Sequence, residues 1–205
     1  MANSADLSKG LPANPEKATL DGKNKFLGAW VFLAGETTMF AVFFGTYLGL
    51  QSGTAGGPEP SEIFQLPLVF IMTMLLLTSS LTSVMAIYAM KKNQFQKLKR
   101  WMWITVALGA VFLGFEIYEF VEYVEHGLGF TTSAFASSFY ALVGLHGAHV
   151  LFGLLWATLL LVRNRNAGIT LTNAPKFYVF SLYWHFIDVV WVFIFSAVYL
   201  MGIGG

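Results

Sequence analysis

Five long apolar runs separated by short polar stretches make up most of the 205-residue chain. They fall at 26–50, 66–90, 101–120, 136–162 and 177–201. A helix rises about 1.5 Å per residue and the hydrocarbon core of a bilayer is about 30 Å thick, so each run is long enough to span it. The pattern predicts an all-α, polytopic membrane bundle of five transmembrane helices occupying residues 26–205. Residues 1–25 are polar, carry Pro12, Pro15 and scattered charges, and lack the apolar core of a cleaved secretory signal. They read as a cytoplasmic tail.

The charges between the runs give the bundle a direction. All twelve basic residues lie before the first run (Lys9, Lys17, Lys23, Lys25), between the second and third (Lys91, Lys92, Lys97, Lys99, Arg100), or between the fourth and fifth (Arg163, Arg165, Lys176). The other two connections carry Glu59 and Glu62, and Glu122, Glu125 and His126. Cytoplasmic loops hold the excess of Lys and Arg, which predicts the N-terminus inside and Gly205 outside. Five is the helix count that puts every basic residue on one side.

Composition agrees and narrows the chemistry. A chain that is 56% hydrophobic and 11% charged, with a mean hydropathy of +0.63, is too apolar for a soluble domain of this size. The absence of cysteine excludes disulfides, iron–sulfur clusters and thiolate ligation of haem, leaving His and carboxylates as possible metal ligands. The basic loop of residues 91–100 is explained by topology and by anionic lipid headgroups, so nucleic-acid binding has no support. Lys25, Lys91, Lys92 and Arg100, with Trp30 and Trp101, are the candidate headgroup and interfacial contacts. Trp103 and Tyr178 at the inner boundary, and Tyr47, Tyr118 and Tyr199 at the outer one, read as interfacial anchors. Trp184 and Trp191 lie too deep for that and read as helix packing. Two small-xxx-small pairs, Ala110 with Gly114 and Gly144 with Ala148, are candidate helix contacts, and the TSSLTS stretch from Thr78 to Ser83 can bond its own backbone or a neighbouring helix.

Ionisable groups inside the membrane are costly and mark function by default. Measured from the inner helix ends at about 1.5 Å per residue, Glu36 lies roughly 15 Å deep, Asp188 roughly 16 Å, His149 roughly 20 Å, Glu116 roughly 22 Å and His146 roughly 24 Å. Equal depths suggest two pairings: Glu116 with His146, and Glu36 with Asp188 or His185. Glu119, Glu122 and Glu125 continue at intervals of three and read as a solvated acidic helix end. His146 and His149 have ligand-like spacing, but a zinc or di-iron site needs three or four convergent donors, commonly with a Glu-x-x-His repeat, and that repeat is missing. No metal site is expected. Each histidine is expected to be satisfied by Ser, Thr or backbone. No phosphate-binding glycine loop, nucleophile elbow or HExxH motif is present, so no catalytic residue is assigned.

Three stretches carry a family resemblance: FLAGETTMFAVFFGTYL around Glu36, SSFYALVGLHGAHVLFGLLW around His146 and His149, and YWHFIDVVWVFIF around Asp188. The chain resembles subunit III of haem-copper oxidases, of the five-helix cytochrome c oxidase type found in Gram-positive bacteria. The resemblance implies a bacterial plasma-membrane subunit without redox centres of its own. Such a subunit packs on subunit I, which holds the haems and copper, assembles with subunit II and a small subunit IV, binds structural phospholipid, and supports proton uptake and durability in turnover. Glu36 matches the family's buried carboxylate, and Asp188 and His146 its other intramembrane polar positions. The same subunit of a quinol oxidase is the near alternative, with PEKATLDGKNKFLGAW resembling the cytochrome c branch. A small proton or ion transporter would show internal repeats or broken helices, and the sequence has neither.

Overall fold

The computed structural model describes residues 12–55 and 64–204, so Lys9, Glu59 and Glu62 lie outside the described residues. Five helices are long and apolar enough to cross a membrane: α1 (Leu20–Leu50), α2 (Leu66–Lys91), α3 (Phe95–Glu125), α4 (Ala134–Arg163) and α5 (Ala174–Ile194). The last continues through a π-helical segment, Phe195–Leu200, into a final turn, Met201–Gly204. No strand occurs among the described residues.

Local chemistry sets the helix ends. The side chain of Thr19 accepts a hydrogen bond from Gly22 N at 3.0 Å, and Asp21 adds a negative charge to the first turn. The first helix therefore starts at Leu20, six residues before its apolar run, and Lys23 and Lys25 are helical rather than part of a tail. Ser133 caps α4 in the same way, through Ala136 N at 3.0 Å. Pro67 and Pro175 sit in the first turns of α2 and α5, where a missing N–H costs no helical bond. At 31 residues, α3 is longer than the hydrocarbon core needs, so Lys97, Lys99 and Arg100 occupy its first turns and Glu122 and Glu125 its last.

Helices α2 to α5 form the body of the bundle, and α1 leans on α4 and α5. The basic segments meet at one end: Lys91 Nζ donates to Asn14 Oδ1 at 3.2 Å, Lys99 Nζ donates to the Arg165 carbonyl at 3.2 Å, and Lys17 lies 4.1 Å over the Phe26 ring. A short 3-10 turn, Pro15–Lys17, folds back under α1 and α5 at that end. The opposite end gathers Gln65, whose Nε2 donates to Glu122 Oε1 at 2.5 Å, and Phe64, whose ring packs tilted against Tyr199 with centroids 4.8 Å apart.

The centre of the bundle is organised by two indoles on α5. Trp184 fills a slot between α3 and α4 that exists because Gly109 and Gly153 lack side chains. A Cβ on Gly109 would come within 2.7 Å of the ring, and one on Gly153 within 2.8 Å. Its Nε1 donates to Ser79 Oγ on α2 at 2.9 Å, so one side chain engages three helices. Two turns later Trp191 donates to Thr73 Oγ1 at 3.0 Å, meets Phe112 edge-on at 4.7 Å and lies 5.1 Å from the His146 ring. The packing role read for both tryptophans is what they perform. Four of the five TSSLTS hydroxyls bond as anticipated: Thr82 to Thr105 at 2.8 Å, Ser83 to Ser181 at 2.9 Å, and Thr78 and Ser79 to their own helix.

Two other expectations fail. Ala110, Gly114 and Ala148 are exposed and Gly144 is half-buried; the close approaches are made by Gly109, Gly147 and Gly153. A shift of one residue turns a helix position by about 100° at 3.6 residues per turn, enough to exchange a core face for a lipid face. Tyr118 is exposed as an anchor should be, but Tyr47 and Tyr199 are fully buried. In the π-helical segment the extra residue per turn changes which positions face the core, and there Tyr199 points inward.

Because the Trp184 slot is bounded by backbone, Gly109→Val should cost about 1–3 kcal/mol through overpacking. Trp184→Phe, which removes the interhelical hydrogen bond but fits the slot, should cost less, the bond itself contributing about 0.6 kcal/mol. Thermal unfolding of the purified protein in mild detergent measures both. Equal losses would mean that the slot is not tight.

Candidate functional site

Glu36 and His149 form the one ion-pair contact between carboxylate and imidazole among the described residues, with Oε2 and Nε2 3.0 Å apart. It bridges α1 and α4. The histidine Nδ1 lies 2.7 Å from the Leu145 carbonyl oxygen, which can only accept, so Nδ1 carries a proton. Nε2 then accepts from a protonated carboxyl or, as imidazolium, donates to a carboxylate. In either form one proton lies between Glu36 and His149, and it can pass between them without movement of the chain. Tyr183 Oη donates to the His149 carbonyl at 3.0 Å and the Phe40 ring packs 5.1 Å from the imidazole, which tie the pair to α5 and α1. Thr37 and Thr38, the polar neighbours of Glu36, bond their own helix at Leu33 and Ala34. The partner of Glu36 is therefore His149, not Asp188 or His185. Depth alone pointed to the latter; the direction in which each side chain leaves its helix decides for the former.

A second acidic group lies toward the other end of α3. Glu119 is 1% exposed and accepts from Tyr123 Oη and, at 2.9 Å, from Tyr199 Oη. It is a core residue rather than part of a solvated helix end; only Glu125 is fully exposed there, with Glu122 held by Gln65. Glu116 is also buried, its carboxyl filling the space left by Gly147, where a Cβ would come within 2.3 Å of Oε1. Glu116 makes no hydrogen bond to His146, and its Oε2 has no partner among the described residues. The pairing expected from equal depth is not made, because His146 turns away between Phe112, 5.9 Å off, and Trp191.

His146 departs from expectation in another respect: neither ring nitrogen has a partner among the described residues. His149 and His185 do follow it, each through Nδ1 to the carbonyl one turn back, Leu145 at 2.7 Å and Ser181 at 2.6 Å. Asp188 lies within hydrogen-bonding reach of Ser80 and beside His185. Among the described residues no three His, Asp or Glu side chains converge to hold a metal ion. Of these groups, Glu36 and His149 are the two placed to share a proton. Sequence reasoning missed Tyr123 and Tyr199 as partners of a buried acid; the Glu-x-x-x-Tyr spacing from 119 to 123, one helical turn, was the available signal.

At the basic end, Trp30 is 51% exposed and Trp101 half-buried, while Lys91, Lys92 and Arg100 are exposed. Lys25 pairs with Asp21 at 2.5 Å, and Lys91 reaches Glu16 at 3.7 Å.

A family model described as cytochrome c oxidase subunit III matches residues 16–203. Cytochrome c oxidase subunit 3 of Alkalihalophilus pseudofirmus is 70% identical over 206 residues, covering 100% of each chain. Its counterpart in Bacillus subtilis is 62% identical, covering 95% of this chain and 94% of the relative. Quinol oxidase subunit 3 of Bacillus subtilis is 47% identical over 90% of each chain.

If Glu36 and His149 share one proton, Glu36→Gln and His149→Gln should be non-additive. The expected coupling in unfolding free energy is about 0.5–3 kcal/mol. Additive losses in a double-mutant cycle on the thermal midpoint would show that the contact carries no energy.

Proposed function

The chain belongs to the cytochrome c oxidase subunit III family, and from that premise we propose that it is the accessory subunit III of a proton-pumping cytochrome c oxidase. It is a multi-pass protein of the bacterial plasma membrane and a subunit of a terminal oxidase. In this reading it catalyses nothing alone. Subunit I carries the haems and copper and packs against it, subunit II and a small subunit IV complete the complex, and structural phospholipid lies along its helices. Its own work is to support proton uptake and to keep the complex intact through turnover. The basic end faces the cytoplasm, as the positive-inside rule requires.

The observation that carries the reading is the Glu36–His149 pair: a carboxyl and an imidazole 3.0 Å apart, bridging α1 and α4 within helices long and apolar enough to cross a membrane. A group so placed can take up and return protons, and it also holds a helix that packs mainly on two others. The relatives named for cytochrome c oxidase stand nearer than those named for quinol oxidase, which favours cytochrome c as donor to the complex. Continuous membrane helices do not favour a self-contained transporter, which needs broken ones around a central site.

Glu36→Ala in the assembled oxidase should leave haem content and subunit composition unchanged. It should lower the protons pumped per electron or shorten the run of turnovers before inactivation, read in liposomes with a pH indicator. Loss of haem on this substitution would count against an accessory role. So would purification of the native chain in mild detergent without oxidase subunits.

A further inference from the structure

Of the five membrane helices, α1 is the one the rest of the chain holds least. It packs mainly on α4 and α5, and its Gly28, Gly35, Gly45 and Gly49 have nothing within 4 Å of where a Cβ would stand. No neighbouring group blocks a shift of the helix at those positions. Past its capped inner end, the polar tie between α1 and the bundle among the described residues is Glu36 Oε2 with His149 Nε2 at 3.0 Å. The hydroxyls beside Glu36 are not free to replace it. Thr37 and Thr38 donate to the Leu33 and Ala34 carbonyls of their own helix, at 2.8 and 3.1 Å.

The tie depends on a count of protons. His149 makes two polar side-chain contacts, to Glu36 through Nε2 and to the Leu145 carbonyl through Nδ1 at 2.7 Å. With Nδ1 protonated and one further proton between ring and carboxyl, both contacts are satisfied and the pair is neutral overall. Without that further proton the ring has one N–H for two acceptors, and the pair takes a net negative charge where an uncompensated charge is costly. At this height α4 is held to α5 by Tyr183 Oη, which donates to the His149 carbonyl at 3.0 Å, so α1 is the element free to respond. We propose that α1 is a proton-dependent element of the fold: seated on α4 while the Glu36–His149 pair holds its shared proton, and loosened from α4 when that proton leaves. Glu36 is the one charged residue of α1 beyond Lys25. The other titratable groups around the pair are Tyr183 of α5 and His146 of α4, the latter packed between Phe112 and Trp191. On α5, His185 is bonded to its own helix at Ser181 and Asp188 lies by Ser80. This dependence deepens the reading of a subunit that supports proton uptake, and rests on that reading for its purpose but not for its existence.

The cysteine-free chain makes the test clean. Val42→Cys on α1 and Leu151→Cys on α4, both at exposed positions, carry spin labels whose separation is measured in the full chain reconstituted in phospholipid vesicles. Circular dichroism checks that each variant folds. As pH is raised, the separation should grow by about 1–2 Å, the size of an interfacial helix shift, and its distribution should broaden. Glu36→Gln supplies the sharper comparison. Its amide donates to neutral Nε2 without a titrating proton, so α1 should keep the short distance as pH rises, whereas Glu36→Ala should show the long distance throughout. A separation that does not change with pH in the otherwise unmodified chain would overturn the proposal, the ring then giving up Leu145 and not Glu36. So would a Glu36→Gln chain that opens as the unmodified one does, which would assign the response to Tyr183 or His146. Either failure would leave the Glu36→Ala pumping result, and the accessory role, standing.

Discussion

Four of the five membrane helices are arranged about the indole of Trp184. Lipid tails are as apolar as leucine, so helices in a membrane gain little from apolar burial against one another and associate through close packing and interhelical hydrogen bonds. Trp184 uses both at once. Its ring occupies the space left by Gly109 and Gly153, and its N–H reaches Ser79, so α2, α3 and α4 are placed relative to α5 by one rigid group. Trp191 repeats the device seven residues on, with Thr73 as acceptor and Phe112 as the packed edge. Between them they fix the rotation of α5, which in turn decides where His185, Asp188 and Tyr199 face.

Within that frame the ionisable groups are held by three different means. Glu36 has an imidazole, Glu119 has two phenol donors, and Glu116 has little beyond the space beside Gly147. Each lies between helices and not toward lipid, which is what the cost of desolvating a carboxyl demands. The three differ in what they can do. A carboxyl bonded to imidazole has a partner that can take up its proton, whereas the phenols bonded to Glu119 are far weaker proton acceptors. That contrast sets Glu36 apart from the acids of α3.

How far the sequence could carry these conclusions depended on which coordinate was needed. The number of crossings was legible: the five apolar runs are five helices long and apolar enough to span a membrane. Rotation about each helix axis was not. Glu36 and Asp188 are close in depth but leave their helices in different directions, and His149, placed roughly 5 Å away in depth at 1.5 Å per residue, is the true partner. The same limitation moved the small-residue contacts by one residue, from Ala110 and Ala148 to Gly109 and Gly147, and brought Tyr47 and Tyr199 into the core. The π-helical turn at Phe195–Leu200 has no signature in a uniformly apolar run, so the Glu119–Tyr199 bond that depends on it could not be read in advance.

The first helix shows why such rotational detail has functional weight. Only 11% of the apolar window of α1 is buried within the chain, against 50% for α5, so side-chain packing constrains it weakly. What fixes it are polar contacts at two heights. At the basic end Thr19 caps it, and Gly22 permits the Glu16 carbonyl and Pro175 to approach, a Cβ there coming within 2.4 Å of that carbonyl oxygen. In the membrane the fixing contact is Glu36 with His149. Two anchors on an otherwise loosely packed rod leave its position sensitive to the state of each. A change in the bond that shares the proton is therefore felt as a change in how α1 sits on α4, and the largely uncovered outer face of α1 would present that change to whatever covers it.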